Sequence, residues 1–160
     1  MSSQVSTGLQ LSTTAFNPQG NIPKQFTCDG ADISPDLSWG EPPKGTRALV
    51  LIADDPDAPV GLWTHWLIYD LPAEKRQLQQ GFPKDRDLAD GGRQGQNDFR
   101  KIGYNGPCPP PGKPHRYYFK LFALEAPLGL KAGATRKEVD AAMKQARVLA
   151  QTEVMGKYGR

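Results

Sequence analysis

Several signatures of common function classes are missing from this chain. No apolar run approaches the roughly 20 residues that a membrane-spanning helix needs. The N-terminus, MSSQVSTGLQLSTT, has neither a charged leader nor an apolar stretch, so no signal peptide is read there. There is no Gly-x-Ser-x-Gly elbow for an activated serine, no GxxxxGK[ST] phosphate loop, and no His or Cys spacing of the zinc-binding kind. Basic and acidic residues are intermixed, with a formal charge of +3 and no like-charge block. A basic stripe with interleaved aromatics is also missing, so nucleic acid is not an expected partner. These absences leave a cytoplasmic protein with no cofactor, folded as one domain over residues 1–160.

Cysteine and histidine are scarce, at two each. Cys28 and Cys108 do not make a disulfide framework. They pair only if the fold brings them together, which sequence does not say, and the cytoplasmic reading weighs against a bridge. Each histidine sits at the junction of a proline-containing loop and an apolar strand. His65 lies in ADDPDAPVGLWTHWLIYDL, residues 53–71, and His115 opens HRYYFKLFAL, residues 115–124.

Three segments read as the core sheet. Residues 47–53, RALVLIA, form a nearly continuous apolar run, as in a central strand buried on both faces. Residues 64–71 alternate, which places His65, Leu67 and Tyr69 on one face and Trp66 and Ile68 on the other. Residues 115–124 alternate too, with His115, Tyr117, Phe119, Leu121 and Ala123 together. Pro- and Gly-rich loops separate these runs and no helix intervenes, so the sheet is expected to be antiparallel. Val5 to Thr13 alternates weakly as an edge strand, and Trp39 reads as a core anchor. Residues 84–114 carry little pattern over about 30 residues, and segments of that kind tend to be functional or disordered. Phe99 and Tyr104 argue for order there.

One helix is expected late in the chain. Thr135 to Glu138 is a capping box. Val139, Ala142, Met143, Ala146, Leu149 and Ala150 follow at helical spacing as a packing face. Gly156 ends or follows that helix, and residues 153–158 return as a short strand.

Chemistry concentrates in two places. Asp55-Pro56-Asp57-Ala58-Pro59 leaves the central strand as a stiff turn, because proline fixes φ and cannot donate to a ladder. Asp55 is expected to face a pocket, whereas Asp57 serves turn bonding and function equally well. The second place is residues 105–112, NGPCPPPG, running into His115 and Tyr117. A rigid loop, two imidazoles, a phenol and a carboxylate suit a small oxyanion, with a backbone amide adding a further bond. A zinc site built from both histidines, Asp55 and Cys108, and the metal-dependent hydrolase it would make, is the weaker reading.

DPDAP, Trp-x-His-Trp at a strand start, a Gly-Pro loop leading into HRY, and the early FTCDGADISPDLSW together resemble the phosphatidylethanolamine-binding protein family, in particular its bacterial and archaeal Raf-kinase-inhibitor-like branch. The resemblance runs from about Leu11 to Arg160. It implies an antiparallel β-sandwich with a large central sheet and a C-terminal helix. It also implies an anion pocket formed by Asp55, His65, Gly106, Pro107, His115 and Tyr117, with Asp57 supporting the rim. The ligand implied is a small phosphate- or carboxylate-bearing molecule such as phosphoethanolamine. A regulatory role resembling inhibition of a kinase or protease, and a homodimer, are implied as well. The family would have a cis bond at Ala58–Pro59; the sequence only permits one.

Overall fold

The computed structural model describes residues 8–160. Val5 therefore lies outside the described residues. Its neighbours Leu9 and Leu11 are buried in the core, and Ser12 bridges to Ser38. Five strands form one antiparallel sheet: β2 (Ala48–Asp55), β3 (Trp63–Pro72), β5 (Arg93–Gln94), β6 (His115–Leu124) and β7 (Val148–Tyr158), in the order β5-β3-β2-β6-β7. The three apolar runs occupy the middle of this sheet, and all eight residues of β2 are buried.

Each face of the sheet is covered. On one side Leu49, Leu51, Ala53, Trp66, Ile68, Phe119 and Leu121 pack with Phe16, Phe26 and Trp39 from the N-terminal segment. The short antiparallel pair β1 (Leu37–Ser38) and β4 (Gln77–Leu78) belongs to this second layer. Trp39 is an anchor as expected, 5 % exposed, with its indole N–H donating to the Lys75 carbonyl. On the other side Val50, Ile52, Leu67 and Tyr69 pack against Val139 of helix α1 (Arg136–Gln145). Burial of each large aliphatic side chain contributes about 1.5–3 kcal/mol, so a strand apolar on both faces belongs at the centre.

The helix starts where the capping box places it. Thr135 accepts from the Glu138 amide, and the Glu138 carboxylate accepts from the Thr135 amide at 2.9 Å. It ends a turn earlier than the apolar spacing indicates. Ala146 is already extended, and Leu149 and Ala150 lie in β7. Strand β7 pairs with β6 along its length, from Leu124↔Val148 to His115↔Tyr158, and this ladder replaces the last helical turns. Gly156 is therefore a strand residue opposite Tyr117. A Cβ there would come within 2.6 Å of Ile22 and 2.7 Å of Phe16.

Strand β3 departs from simple alternation at the site. Ala53 pairs with Trp66 and Asp54 with Thr64, so His65 is an extra residue in the ladder. This β-bulge breaks the two-residue period. Leu67 and Tyr69 face the helix, while His65 joins Tyr117 and Phe99 on the opposite face. The alternation reading of His65 is thus corrected by one inserted residue.

Candidate functional site

The acid pair at the end of β2 is divided by the pleat. Asp54 points to the helix side, where Lys120 donates at 3.2 Å and Arg136 at 3.1 Å; it is 1 % exposed. Asp55 points to the other side, 3 % exposed, and lines a cavity of ≈ 230 Å³. The turn that follows folds back on it. The Asp57 amide donates to Asp55 Oδ1 at 2.7 Å, an Asx-turn of the kind that short acidic side chains favour. The Ala58–Pro59 bond in this turn is trans.

His115 begins β6 directly beside Asp55. Its Nδ1 lies 2.7 Å from Asp55 Oδ2, and an ionised carboxylate only accepts, so Nδ1 carries the proton and donates. Tyr117, two residues along on the same face, lines the same cavity as Asp55. Burial first, and then the Asp55 charge, push the Tyr117 phenol well above its ordinary range. Asp55 therefore accepts from the turn and from an imidazole.

His65 is held from the other direction. Its Nδ1 is 2.6 Å from the Asn105 carbonyl, which again fixes Nδ1 as the donor. Burial lowers its pKa, outweighing the carbonyl and the nearby carboxylates, and keeps the ring neutral. The ring packs edge-on against Tyr117 and against Phe99, each at 5.3 Å between centroids. Each imidazole commits its Nδ1–H to the protein, and Nε2 is the nitrogen that remains for a ligand. A neutral Nε2 accepts from an acidic O–H; a protonated one donates to an anion.

The patternless residues 84–114 are ordered and build one side of the cleft. Asn97 accepts from the amides of Phe99 and Lys101 and donates to Gly103 and Asn105. Asp98 exchanges hydrogen bonds with the backbone of Thr64. These bonds hold Phe99 over His65 and place the Asn105 carbonyl on its ring. Tyr104 is 2 % exposed and donates to the Phe26 carbonyl. Asn97 and Asn105 were not picked out from the sequence. Two asparagines in a glycine-rich loop have no periodicity to mark them, and only the bonds they make give them away.

Other sequence candidates lie behind or beside the cavity. Gly106 is pressed so close to the core that a Cβ would sit 2.0 Å from the Phe26 carbonyl oxygen. Its amide donates to Asp32 at 2.9 Å, so it has no free N–H for an anion. The Pro107 carbonyl accepts from Cys28. Neither residue lines the cavity. Asp57 also stands outside it, in a basic cleft with Lys113, Arg116 and Lys157 that His115 borders from the other side. A bidentate pair with Arg116, at 2.8 and 2.9 Å, lowers the Asp57 carboxyl to about 2 and ties the turn to the start of β6. Asp57 thus supports His115 rather than facing a ligand in the cavity.

Most of the cavity lining is apolar and was not singled out as ligand-facing. Trp63 and Phe99 meet edge to face at 5.5 Å, and Pro59, Val60, Pro109 and Pro110 form the mouth. Cys108 also lines it, joined to Cys28 in a disulfide. The fold brings these residues together across a sequence separation of 80, against the weight of the cytoplasmic reading. A loop of that length gives an entropic stabilisation of about 4.5 kcal/mol in the chain-entropy treatment. The bridge also removes Cys108 as a thiolate nucleophile or metal ligand. Among the described residues no group of three or more His, Cys, Asp and Glu is placed to hold a metal ion.

A small two-layered β-sandwich, with a buried imidazole pair opening into one apolar-walled cleft, is the class of protein these observations define. The family model for phosphatidylethanolamine-binding protein matches residues 12–159. A UPF0098 protein of Aquifex aeolicus is 48% identical over 154 residues, spanning 95% of this chain and 89% of the relative. Another from Methanothermobacter thermautotrophicus is 46% identical over 152 residues, spanning 95% and 99%. Among solved structures, a homologue of phosphatidylethanolamine-binding protein from Chlamydia trachomatis superposes with a TM-score of 0.85 at 38% identity, covering 97% of this chain and 99% of that one. YbcL of E. coli gives 0.87 at 28% identity, covering 96% and 99%. The chain belongs to the phosphatidylethanolamine-binding protein family. No helix among the described residues is long and apolar enough to cross a membrane.

Proposed function

We propose that the protein binds a small acid, a phosphate monoester such as phosphoethanolamine or a carboxylate, in the cleft between β2, β3 and β6, and does not turn it over. The observation that carries this reading is the arrangement of His65 and His115. Both rings commit Nδ1 to internal acceptors, both line one cavity, and each keeps Nε2 for a ligand. A ligand carrying one proton and one negative charge suits such a pair: its O–H donates to Nε2 of neutral His65, and its anionic oxygen accepts from Nε2–H of His115 when that ring is protonated. Volume limits the choice. At ≈ 230 Å³ the cavity is smaller than the roughly 300–1,000 Å³ of drug-sized sites, so it takes a head group and leaves any larger substituent at the apolar mouth. So small a site buries little area, and the affinity is expected to be modest.

Phosphoethanolamine titrated against the protein should perturb the side-chain NMR signals of both imidazoles. Silence from both at millimolar ligand would remove the proposal. His115→Ala should weaken binding more than Lys144→Ala on the exposed helix face; equal losses would place the anion on a generic basic surface.

A regulatory reading, inhibition of a kinase or protease through the cleft mouth, is supported by one further observation. Val60, 77 % exposed, lines the cavity, and Leu62, 49 % exposed, follows two residues later on the same loop outside the cavity lining. Leu62→Asp, outside the cavity lining, should then abolish capture of such an enzyme while leaving phosphoethanolamine binding intact. Self-association is read by light scattering on the same samples. The exposed bridge beside the cavity weighs towards an oxidising compartment and against the cytoplasmic placement.

A further inference from the structure

The Cys28–Cys108 bridge lies at the cavity mouth rather than in the core. Cys108 is exposed and lines the cleft, while Cys28 is half-buried. The segment it anchors, residues 108–114, lines the cleft through Cys108, Pro109 and Pro110 and has few backbone hydrogen bonds to hold it. Four of its residues are prolines with no N–H to donate. The Gly112 amide reaches the Arg160 carbonyl only at 3.3 Å. Before the bridge the chain is well fixed, by Pro107 to Cys28 and by Gly106 to Asp32. After it the chain is next fixed at His115, on Asp55.

Arg160 stands over the sulfurs. Its Nη2 is 3.0 Å from Cys28 Sγ and 3.4 Å from Cys108 Sγ. Asp29 holds the guanidinium in place, through Oδ1 at 3.0 Å and Oδ2 at 3.1 Å. Asp29 is itself kept ionised by the Tyr158 hydroxyl and then by Arg160. A cation next to sulfur favours thiolate over thiol, and a stabilised thiolate leaves faster in exchange.

We propose that Cys28–Cys108 is a thiol–disulfide exchange site, opened by a dithiol reductant, and that its redox state decides whether the Cys108–Pro114 wall of the cleft is fixed. The attacking thiolate bonds to the exposed Cys108 Sγ. The Cys28–Cys108 bond breaks, and its electron pair goes to Cys28 Sγ beneath Arg160. The reductant's second thiol, as thiolate, then attacks its own sulfur in the mixed disulfide. That step releases Cys108 as a thiolate and leaves the reductant as a disulfide. Two electrons pass from dithiol to bridge, and the two protons of the dithiol end on Cys28 and Cys108. Exposed disulfides are the labile and regulatory ones, whereas structural bridges resist reduction. In the reduced state residues 108–114 pivot between Pro107 and His115, and the cavity loses one side.

The test uses the oxidised full-length chain without ligand, so it stands apart from the proposal of acid binding. Dithiothreitol is added in native buffer, and free thiols are trapped by alkylation and counted by mass spectrometry. Reduction should go to completion with the sheet intact. NMR shifts should gather at residues 105–115 and at the His65 and Phe99 rings, leaving Val139 on the buried face of the helix unmoved. The double variant Cys28→Ser, Cys108→Ser should reproduce the reduced spectrum. Arg160→Gln should slow reduction about tenfold, the value of one charge-assisted hydrogen bond to the leaving sulfur. A bridge that opens only when the protein unfolds would overturn the proposal, as would shifts spread evenly over both faces of the sheet. An Arg160→Gln rate equal to wild type would overturn the role given to Arg160. Failure of phosphoethanolamine to bind the oxidised protein would leave these results standing and sink only the acid-binding reading.

Discussion

Asp55→Asn is the substitution that tests the site most directly. Asp55 is buried and has a hydrogen-bond donor on each carboxylate oxygen: the Asp57 amide at 2.7 Å on Oδ1 and His115 Nδ1 at 2.7 Å on Oδ2. Asparagine keeps the shape but offers one acceptor and one NH2. The Asp57 amide cannot give up its proton, so the asparagine oxygen goes to it and the NH2 confronts His115. The ring can meet that group only by moving its proton to Nε2 and accepting at Nδ1. The protein then loses a charge-assisted bond of about 1.5–3 kcal/mol and gains a neutral one of about 1 kcal/mol. Net destabilisation of about 0.5–2 kcal/mol is expected. Asp55→Ala leaves the donors of Asp57 and His115 without an acceptor, so about 3–5 kcal/mol is expected there. Urea unfolding gives the two losses, and long-range nitrogen–proton NMR tells which His115 nitrogen is protonated. The ligand side follows from the tautomer. With Nε2–H permanently offered, binding of a carboxylate should depend less on pH than in the wild type. The reasoning fails if Asp55→Asn leaves His115 protonated at Nδ1, or if Asp55→Ala is no worse than Asp55→Asn.

Two further outcomes follow from other contacts. Burial depresses His65 in the folded state, so the unfolded chain binds the proton more readily below its ordinary value of ~6.5. Stability should therefore be full above that pH and fall as pH drops through it, by at most about 1.4 kcal/mol per pH unit from this group. His65→Gln should flatten the urea midpoint between about pH 5 and about pH 7; an unchanged slope would put the acid sensitivity elsewhere. Gly106→Ala places a methyl 2.0 Å from the Phe26 carbonyl oxygen, so backbone must move, and a loss of about 3 kcal/mol or more is expected by urea unfolding. A loss under about 0.5 kcal/mol would show that the loop is not pressed against the core as described.

The parts of the fold that sequence revealed are those in which one residue type repeats on one period. RALVLIA could only be buried on both faces, and Thr135 to Glu138 carries its cap in its own side chains. His115 and Tyr117 kept the alternation of β6, so their shared face was readable. His65 was assigned to the site, but its neighbours were misjudged, because one inserted residue cancels the alternation on which the judgement rests. Leu149 and Ala150 continued a helical spacing by coincidence; the ladder that claims this segment pairs Val148 with Leu124 and Ala150 with Ala123, residues about 25 positions earlier. The same holds for Cys28 with Cys108 and for Asn105 with His65. Spacing along the chain carries no trace of either, since both depend on how residues 84–114 cross over the sheet.

The bulge at His65 has a consequence for how such a site is gained or lost. Ala53 faces Trp66 and Asp54 faces Thr64, so the ladder is complete without residue 65. A one-codon deletion there would leave a continuous strand with its core face in register and the cleft without its second imidazole. The reverse insertion, in a regular strand, would deliver a new side chain into the cleft while the flanking residues kept their partners. In this sheet the ligand-facing position behaves as an addition to the frame, open to change by insertion and deletion as well as by substitution.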